Sequence, residues 1–242
     1  MTTKPIPESH IGVFDSGLGG LTVLTSLEKI LPNESFIYFG DTAHVPYGNK
    51  SADTVIHYSR NIMNFFLKHN TKAVVIACNT ASAVACKELR NSFDIPLFDV
   101  VAPSAVHANN ISKTRKIGII GTHSTIFSKA YTRSLADIKS DCSTIEISCP
   151  LFVPLIEEGW SDTPVAKEIA CSYLKPFQKT EIDTLILGCT HYPIMGKTIQ
   201  EAMKSHVQLV YSGETVGRKL AAHLKKNNCT NDSGILGETR FY

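Results

Sequence analysis

Two cysteines occupy matching positions in the sequence and could act together on one carbon atom. Cys78 ends the apolar stretch of residues 73–77, Cys189 ends the apolar stretch of residues 184–188, and each is followed by two polar residues. A thiolate on one side of a carbon can remove its proton, and a protonated thiol on the other side can return one. Such delivery from both faces would invert a stereocentre. We therefore treat both thiols as candidate acid/base groups, although a free cysteine is more often an inert core residue.

Polar side chains follow the same predicted strand ends and could support proton abstraction. Hydroxyl donors and backbone N–H groups, aimed at the substrate carboxylate, would have to stabilise the enolate-like charge that develops. The hydroxyl groups that follow predicted strands are those of Ser16, Thr80, Thr122, Thr125 and Thr190. Asp15 lies at a strand end near the first thiol, and His191 lies two residues after the second, where each could assist its sulfur. Each of these residues could instead be only a helix cap or a hydrogen-bonded residue at a helix start.

Short apolar strands alternate with amphipathic helices along the chain, and the pattern occurs twice. Residues 12–16 match residues 118–122, and residues 75–80 match residues 186–191 at a similar offset and in the same order. Strands that are apolar throughout are typical of parallel sheets covered on both faces. The sequence therefore predicts an α/β fold with two pseudo-symmetric lobes, each with a mostly parallel sheet flanked by helices.

The repeat also predicts a domain organisation. We expect residues 1–100 and 208–242 to form the first lobe and residues 101–207 to form the second, with the last strand and helix returning to the first lobe. Ligands of open α/β sheets bind beyond the carboxyl ends of the strands, where both cysteines lie. The active site is therefore expected in the cleft between the lobes.

Composition narrows the class of protein. A chain of 242 residues that is 43% hydrophobic and 19% charged is typical of a globular protein. A net charge of +2 favours neither a nucleic-acid nor a membrane partner. Residues 1–10 lack the apolar region of a secretory signal, and no apolar run approaches the roughly 18 residues of a membrane span. Seven cysteines without a C-x-x-C pair predict free thiols in a reducing compartment, the cytoplasm, and no structural metal site.

Five segments carry a more specific pattern. They are residues 15–20 (DSGLGG), 40–48 (GDTAHVPYG), 77–82 (ACNTAS), 151–159 (LFVPLIEEG) and 188–193 (GCTHYP). Their order and spacing over nearly the whole chain resemble glutamate racemase, a family of the cofactor-independent aspartate/glutamate racemase superfamily. The resemblance implies an isomerase that interconverts L- and D-glutamate with no cofactor and no metal, and that supplies D-glutamate for peptidoglycan synthesis.

The resemblance also implies roles for individual residues. Cys78 and Cys189 would be the two acid/base thiols, acting on the D- and the L-enantiomer respectively. Asp15 would assist at the Cys78 side, His191 at the Cys189 side, and Glu157 would tune the second side. The implied substrate-binding positions are Asp15, Ser16, Pro46, Tyr47, Gly48, Cys78, Asn79, Thr80, Thr122, Thr125, Cys189, Thr190 and His191.

Some positions depart from the family pattern, and other functions stay open at this point. His44 stands where the family commonly has Arg, and residues 227–242 match no part of the pattern. The expected partners are glutamate as a small-molecule substrate and a second copy of the chain in a homodimer. The alternatives are a racemase of aspartate or a related acidic amino acid with the same fold, and a non-catalytic protein that binds a small ligand.

Overall fold

The computed structural model describes residues 6–242. Residues 1–5, which belong to the predicted first lobe and to the segment inspected for a secretory signal, lie outside the described residues. The strands of the described part are β1 (Ile11–Asp15), β2 (Phe36–Gly40), β3 (Ala73–Ile76), β4 (Leu97–Asp99), β5 (Lys116–Gly121), β6 (Ser143–Ser148), β7 (Thr184–Gly188), β8 (Gln208–Val210) and β9 (Thr239–Phe241).

These strands form two parallel sheets. The first sheet has the order β4-β3-β1-β2-β9, and the second has the order β6-β5-β7-β8. Every neighbouring pair is parallel. Strands β1, β3 and β7 are buried along their whole length, as expected for strands with helices on both faces. The predicted α/β fold with two parallel sheets is confirmed.

Helices connect the strands and cover both faces of each sheet. They are α1 (Leu21–Ile30), α2 (Ala52–Lys68), α3 (Asn79–Val84), α4 (Cys86–Ser92), α5 (Val101–Ile111), α6 (His123–Phe127), α7 (Ala130–Asp137), α8 (Phe152–Glu157), α9 (Pro164–Gln178), α10 (Gly196–Ala202) and α11 (Ser212–Lys226). In the first lobe, Leu27 of α1 and Leu220 of α11 pack on one face of the sheet, and Met63 and Phe66 of α2 pack on the other. Among the helices of residues 6–242, none combines the length and the apolar character that a membrane crossing requires.

Local capping explains where several helices begin. Thr163 accepts a hydrogen bond from the Ala166 backbone N–H and is followed by a proline in the first turn of α9. Ser51 caps α2 by accepting a hydrogen bond from the Thr54 backbone N–H, and Asp53 lies in the first turn.

The path of residues 208–242 differs from the prediction. The first strand of this segment, β8, joins the second sheet, where Leu209 lies beside Leu185 of β7. A strand that follows its neighbour through one short helix usually pairs beside it, and α10 makes that connection here. The helix α11 does return to the first lobe, where Leu220 packs in the same cluster as Leu27. The unpredicted strand β9 then pairs with β2.

Candidate active site

A cavity of about 150 Å³ contains both predicted thiols. Ser16 and Cys78 follow β1 and β3 of the first sheet, and Thr122 and Cys189 follow β5 and β7 of the second, and all four line this cavity. The carboxyl ends of two strands from each sheet therefore open onto one shared space, in the cleft where the sequence predicts the site.

Cys78 sits at the start of α3, where it caps the helix. Its sulfur accepts a hydrogen bond from the Ala81 backbone N–H at 3.4 Å, and its S–H points to Ser16 Oγ at 3.8 Å. Burial raises the pKa of the Cys78 thiol to about 12, and the charge of Asp15 adds to that effect. The resting thiol is therefore protonated at neutral pH.

Cys189 directly follows β7 and lies beside a His–carboxylate pair. Its sulfur lies 3.8 Å from His191 Nδ1, and His191 Nε2 lies 3.2 Å from Glu157 Oε1. Burial raises the pKa of the Cys189 thiol, and a backbone hydrogen bond from His191 opposes the rise. Cys189, the buried imidazole and the half-exposed carboxylate of Glu157 thus form a connected series of ionisable groups, and all three residues line the cavity.

Asp15 connects the end of β1 to the loop that carries Cys189. Its buried carboxylate accepts hydrogen bonds from Thr190 Oγ1 at 3.2 Å and from the Gly17 backbone N–H at 3.1 Å. Burial raises the pKa of Asp15, and the nearby His191 opposes the rise. The sequence places Asp15 near the first thiol, and its charge does raise the pKa of Cys78, but its side chain bonds the loop of the second thiol. Asp15 is buried and does not line the cavity.

Three predicted hydroxyl residues form one cluster across the cleft. Thr80 Oγ1 lies 3.0 Å from Thr122 Oγ1 and 3.3 Å from Thr125 Oγ1, and the last two are 3.0 Å apart. Thr80 and Thr122 line the cavity, whereas the buried Thr125 supports them from behind. Thr122 also caps α6 by accepting from the Thr125 backbone N–H, so the capping role and the binding role can coexist.

The segment around Tyr47 forms another wall of the cavity. Pro46, Tyr47 and Gly48 all line it, and the Tyr47 hydroxyl donates to Asp41 Oδ2 at 2.6 Å. His44, the residue that departs from the family pattern, lies 2.7 Å from the other oxygen of Asp41. His44 therefore acts on the wall through Asp41 and does not line the cavity.

Sequence analysis missed several residues of the cavity wall. They are Val45, Asn49, His123, Pro150, Val153 and Pro154. Val45, Val153 and Pro154 lie inside segments that carry the family resemblance, so that resemblance could have identified them as residues of the cavity wall. Of the predicted site residues, all but Asp15 and Thr125 line the cavity. Within residues 6–242, no three His, Cys, Asp or Glu side chains are placed to hold a metal ion.

Asn79 is oriented by a residue of the opposite lobe. The buried hydroxyl of Tyr131, in α7, donates to Asn79 Oδ1 at 2.5 Å. This bond fixes the orientation of the amide, and among the described residues its buried Nδ2 has no acceptor. A buried amide donor on the cavity wall that lacks an acceptor is suited to an anionic ligand group, because leaving it unpaired is costly.

The substitution Tyr131→Phe tests this positioning role. We expect KM to rise by about three- to tenfold with a smaller change in kcat, since one hydrogen bond of about 1 kcal/mol that orients the amide is lost. Steady-state kinetics in both reaction directions measure the split. Tyr173→Phe, which removes a hydroxyl from a partly buried ring of the same lobe, is the matched control. An unchanged KM in Tyr131→Phe would show that Asn79 keeps its orientation without the hydroxyl.

The fold and the site together define a class of protein. Two parallel α/β lobes bring two buried thiols, hydroxyl donors and a His–carboxylate pair to a single small cavity. This arrangement fits an enzyme that moves a proton at a carbon atom.

The comparisons with known proteins agree with that class. The profile of the Asp/Glu/hydantoin racemase family matches residues 11–217, and the chain belongs to this family. The family resemblance and the predicted racemase class are therefore confirmed.

Relatives and solved structures match over almost the whole chain. A glutamate racemase of Geobacter metallireducens is 43% identical, with 98% of this chain and 88% of the relative covered. The crystal structure of glutamate racemase from Francisella tularensis in complex with D-glutamate has a TM-score of 0.91 and 36% identity, covering 98% of this chain and 88% of the other. A glutamate racemase isoform from Bacillus anthracis has a TM-score of 0.94 and 35% identity, covering 97% and 88%.

Proposed function

We propose that this chain is a glutamate racemase that interconverts L- and D-glutamate by proton transfer between two thiols. The observation that carries the proposal is the placement of Cys78 and Cys189 on the wall of one cavity at the ends of strands from different sheets. The glutamate racemases among its relatives support the choice of substrate.

In this mechanism, at the start of each turnover one cysteine is a thiolate and the other is a protonated thiol. Cys189 removes the Cα proton of L-glutamate, and Cys78 donates a proton to the opposite face. The reverse reaction begins at Cys78. Burial raises both thiol pKa values, so the thiolate must form with help from its neighbours.

The neighbours of each sulfur suggest how the thiolate forms. His191 Nδ1, at 3.8 Å from Cys189 Sγ, can receive the proton, and Glu157 then stabilises the imidazolium. On the other side we assign Asp15 to assist at Cys78, as the family resemblance implies, and its charge raises the pKa of that thiol while its side chain contacts Gly17 and Thr190. Of the two thiols, within residues 6–242, only Cys189 has a titratable side chain in contact with its sulfur.

The donors of the cavity wall would hold the substrate and stabilise the intermediate. We assign the hydroxyl groups of Ser16, Thr80, Thr122 and Thr190 and the amide of Asn79 to the carboxylates of glutamate. Thr125, Pro46, Tyr47 and Gly48 shape and support the same wall. In a dry cavity such preoriented donors stabilise enolate-like charge far better than water does.

Three broader assignments belong to the same proposal. We take the first lobe as residues 1–100 and 208–242 and the second as residues 101–207, as predicted, but with β8 moved to the second lobe. The two lobes close on the substrate. The chain forms a homodimer. It acts in the cytoplasm, where its seven free cysteines stay reduced, and its D-glutamate enters peptidoglycan synthesis.

A substrate panel tests the proposed reaction. We expect circular dichroism to show loss of optical activity for L- and for D-glutamate, with kcat/KM for aspartate lower by about 10- to 200-fold because the side chain lacks one methylene. Cys171→Ser, a change at an exposed cysteine, is the matched control and should keep full activity. A preference for aspartate would reassign the substrate, and turnover of neither acid would favour a binding protein.

A further inference from the structure

The two thiols receive backbone hydrogen bonds from different kinds of local structure. The Ala81 N–H that donates to Cys78 belongs to the first turn of α3, where the helix itself fixes its direction. Cys189 accepts from the backbone N–H of His191, which lies in a turn between β7 and the short 3₁₀ helix Tyr192–Met195. A peptide group in this turn has no helix to fix its direction, so another part of the molecule must hold it.

Thr22 holds the peptide group between Thr190 and His191. The hydroxyl of this half-buried threonine donates to the Thr190 carbonyl oxygen at 2.8 Å and to the Gly19 carbonyl oxygen at 2.9 Å. A trans peptide group is planar, with its carbonyl and its N–H on opposite sides. The bond to the Thr190 carbonyl therefore fixes the direction of the His191 N–H. It also strengthens that donor, because hydrogen bonds in series polarise one another.

This contact crosses from one lobe to the other. Thr22 lies in the first turn of α1 in the first lobe, whereas Thr190 follows β7 of the second lobe. The Thr190 side chain is held from the first lobe as well, since its hydroxyl donates to the carboxylate of Asp15. The first lobe thus contacts Thr190, the residue between the second thiol and its imidazole, through both its backbone and its side chain.

We propose that Thr22 is a positioning residue for Cys189, because its hydroxyl keeps the His191 N–H directed at the sulfur and so stabilises the thiolate. This inference deepens the proposed function and rests on it, since it names the group that prepares Cys189 to remove a proton from L-glutamate. Thr22 does not line the active-site cavity, so it acts through the turn that follows β7. Loss of its hydroxyl should therefore slow the step at Cys189 and leave the step at Cys78 unchanged.

Thr22→Val tests this role, because valine keeps the shape of threonine and lacks its hydroxyl. At one fixed, mildly alkaline pH we expect iodoacetamide to alkylate Cys189 about three- to tenfold more slowly in this variant, since a thiolate that loses a hydrogen bond forms less readily. The rate at Cys78, measured in the same samples by peptide mass spectrometry, should not change. Thr22→Ser keeps the hydroxyl and should keep the rate at Cys189. Thr25→Val, the same change at an exposed position of α1, is the matched control.

Kinetics with glutamate deuterated at Cα locate the affected step. Since the two enantiomers have equal free energy, kcat/KM must fall equally in both directions in Thr22→Val, and we expect a fall of about two- to tenfold. The deuterium isotope effect on kcat/KM should rise with L-glutamate, where Cys189 breaks the C–H bond, and fall with D-glutamate, where Cys78 breaks it. A loss of folded protein alone would leave both isotope effects unchanged.

Several results would overturn the proposal. They are alkylation of Cys189 that is unchanged or faster in Thr22→Val, an equally large loss in Thr22→Ser or Thr25→Val, and isotope effects that do not move apart. If Thr22→Val does not fold, Thr22→Ala removes the same hydroxyl and must give the same results. Absence of racemisation in the unmodified chain would count against the proposed reaction, and the alkylation rates alone would then decide whether Thr22 acts on Cys189.

Discussion

Replacing either thiol by a hydroxyl group should lower kcat for glutamate by about 10²–10⁴-fold in both reaction directions. In Cys78→Ser and in Cys189→Ser the volume changes little, but a hydroxyl group is a far weaker acid than a thiol and cannot serve as the base. Both directions suffer because each thiol is the base in one direction and the acid in the other. Chiral separation of the products after long incubation measures the residual rates.

A third buried cysteine provides the control for this prediction. Cys149→Ser is the matched control, because Cys149 is buried and its thiol pKa is also raised by burial, yet it does not line the cavity. We expect this control to keep kcat even if its stability falls. Full activity of either Cys78→Ser or Cys189→Ser would remove that residue from the mechanism.

Gly19→Ala should lower kcat/KM by about a hundredfold. A Cβ at this position would lie 2.4 Å from His191 Nδ1 and 2.6 Å from Thr190 Oγ1, closer than any real contact. The loop after β1 therefore approaches the Cys189 loop only because residue 19 has no side chain. The added methyl must push His191 away from Cys189 or hold the lobes apart, and displacements of about 1 Å near a reacting group can cost this much.

The neighbouring residue provides the control for this substitution. Leu18→Ala removes apolar atoms from the same loop, but Leu18 is 66% exposed and lines no part of the cavity. We expect Leu18→Ala to keep kcat/KM and both variants to unfold at similar temperatures. Normal turnover in Gly19→Ala would mean that the two loops need not approach each other during the reaction.

The sequence predicted the centre of the site because the relevant signals are local. Cys78 and Cys189 follow buried strands, and parallel strands bring their carboxyl ends to one edge of a sheet. These two strands could be predicted from their runs of apolar residues alone. The repeat then indicated that two such edges exist, and the structure joins them in a single cavity.

The parts that sequence analysis missed depend on contacts between distant segments. Nothing in the local pattern around Tyr131 shows that its hydroxyl reaches Asn79 across the cleft. The sheet that β8 joins is decided by pairing with β7, which local propensity does not contain. The strand β9 has only three residues, with a charged one in the middle, and it is held by hydrogen bonds to β2. The bond from Thr190 to Asp15 likewise joins residues that are 175 positions apart in the sequence.

The central claim is that two different groups, one on each face of the substrate carbon, exchange its proton with solvent. The most direct measurement is mass spectrometry of both glutamate enantiomers after a few per cent of racemisation in deuterated water, starting from pure L- and then from pure D-glutamate. We predict that the product enantiomer carries deuterium at Cα, because the second thiol is equilibrated with solvent, and that the remaining substrate keeps its hydrogen. A product that retains the hydrogen of the substrate would show one group returning the same proton, and would contradict the account.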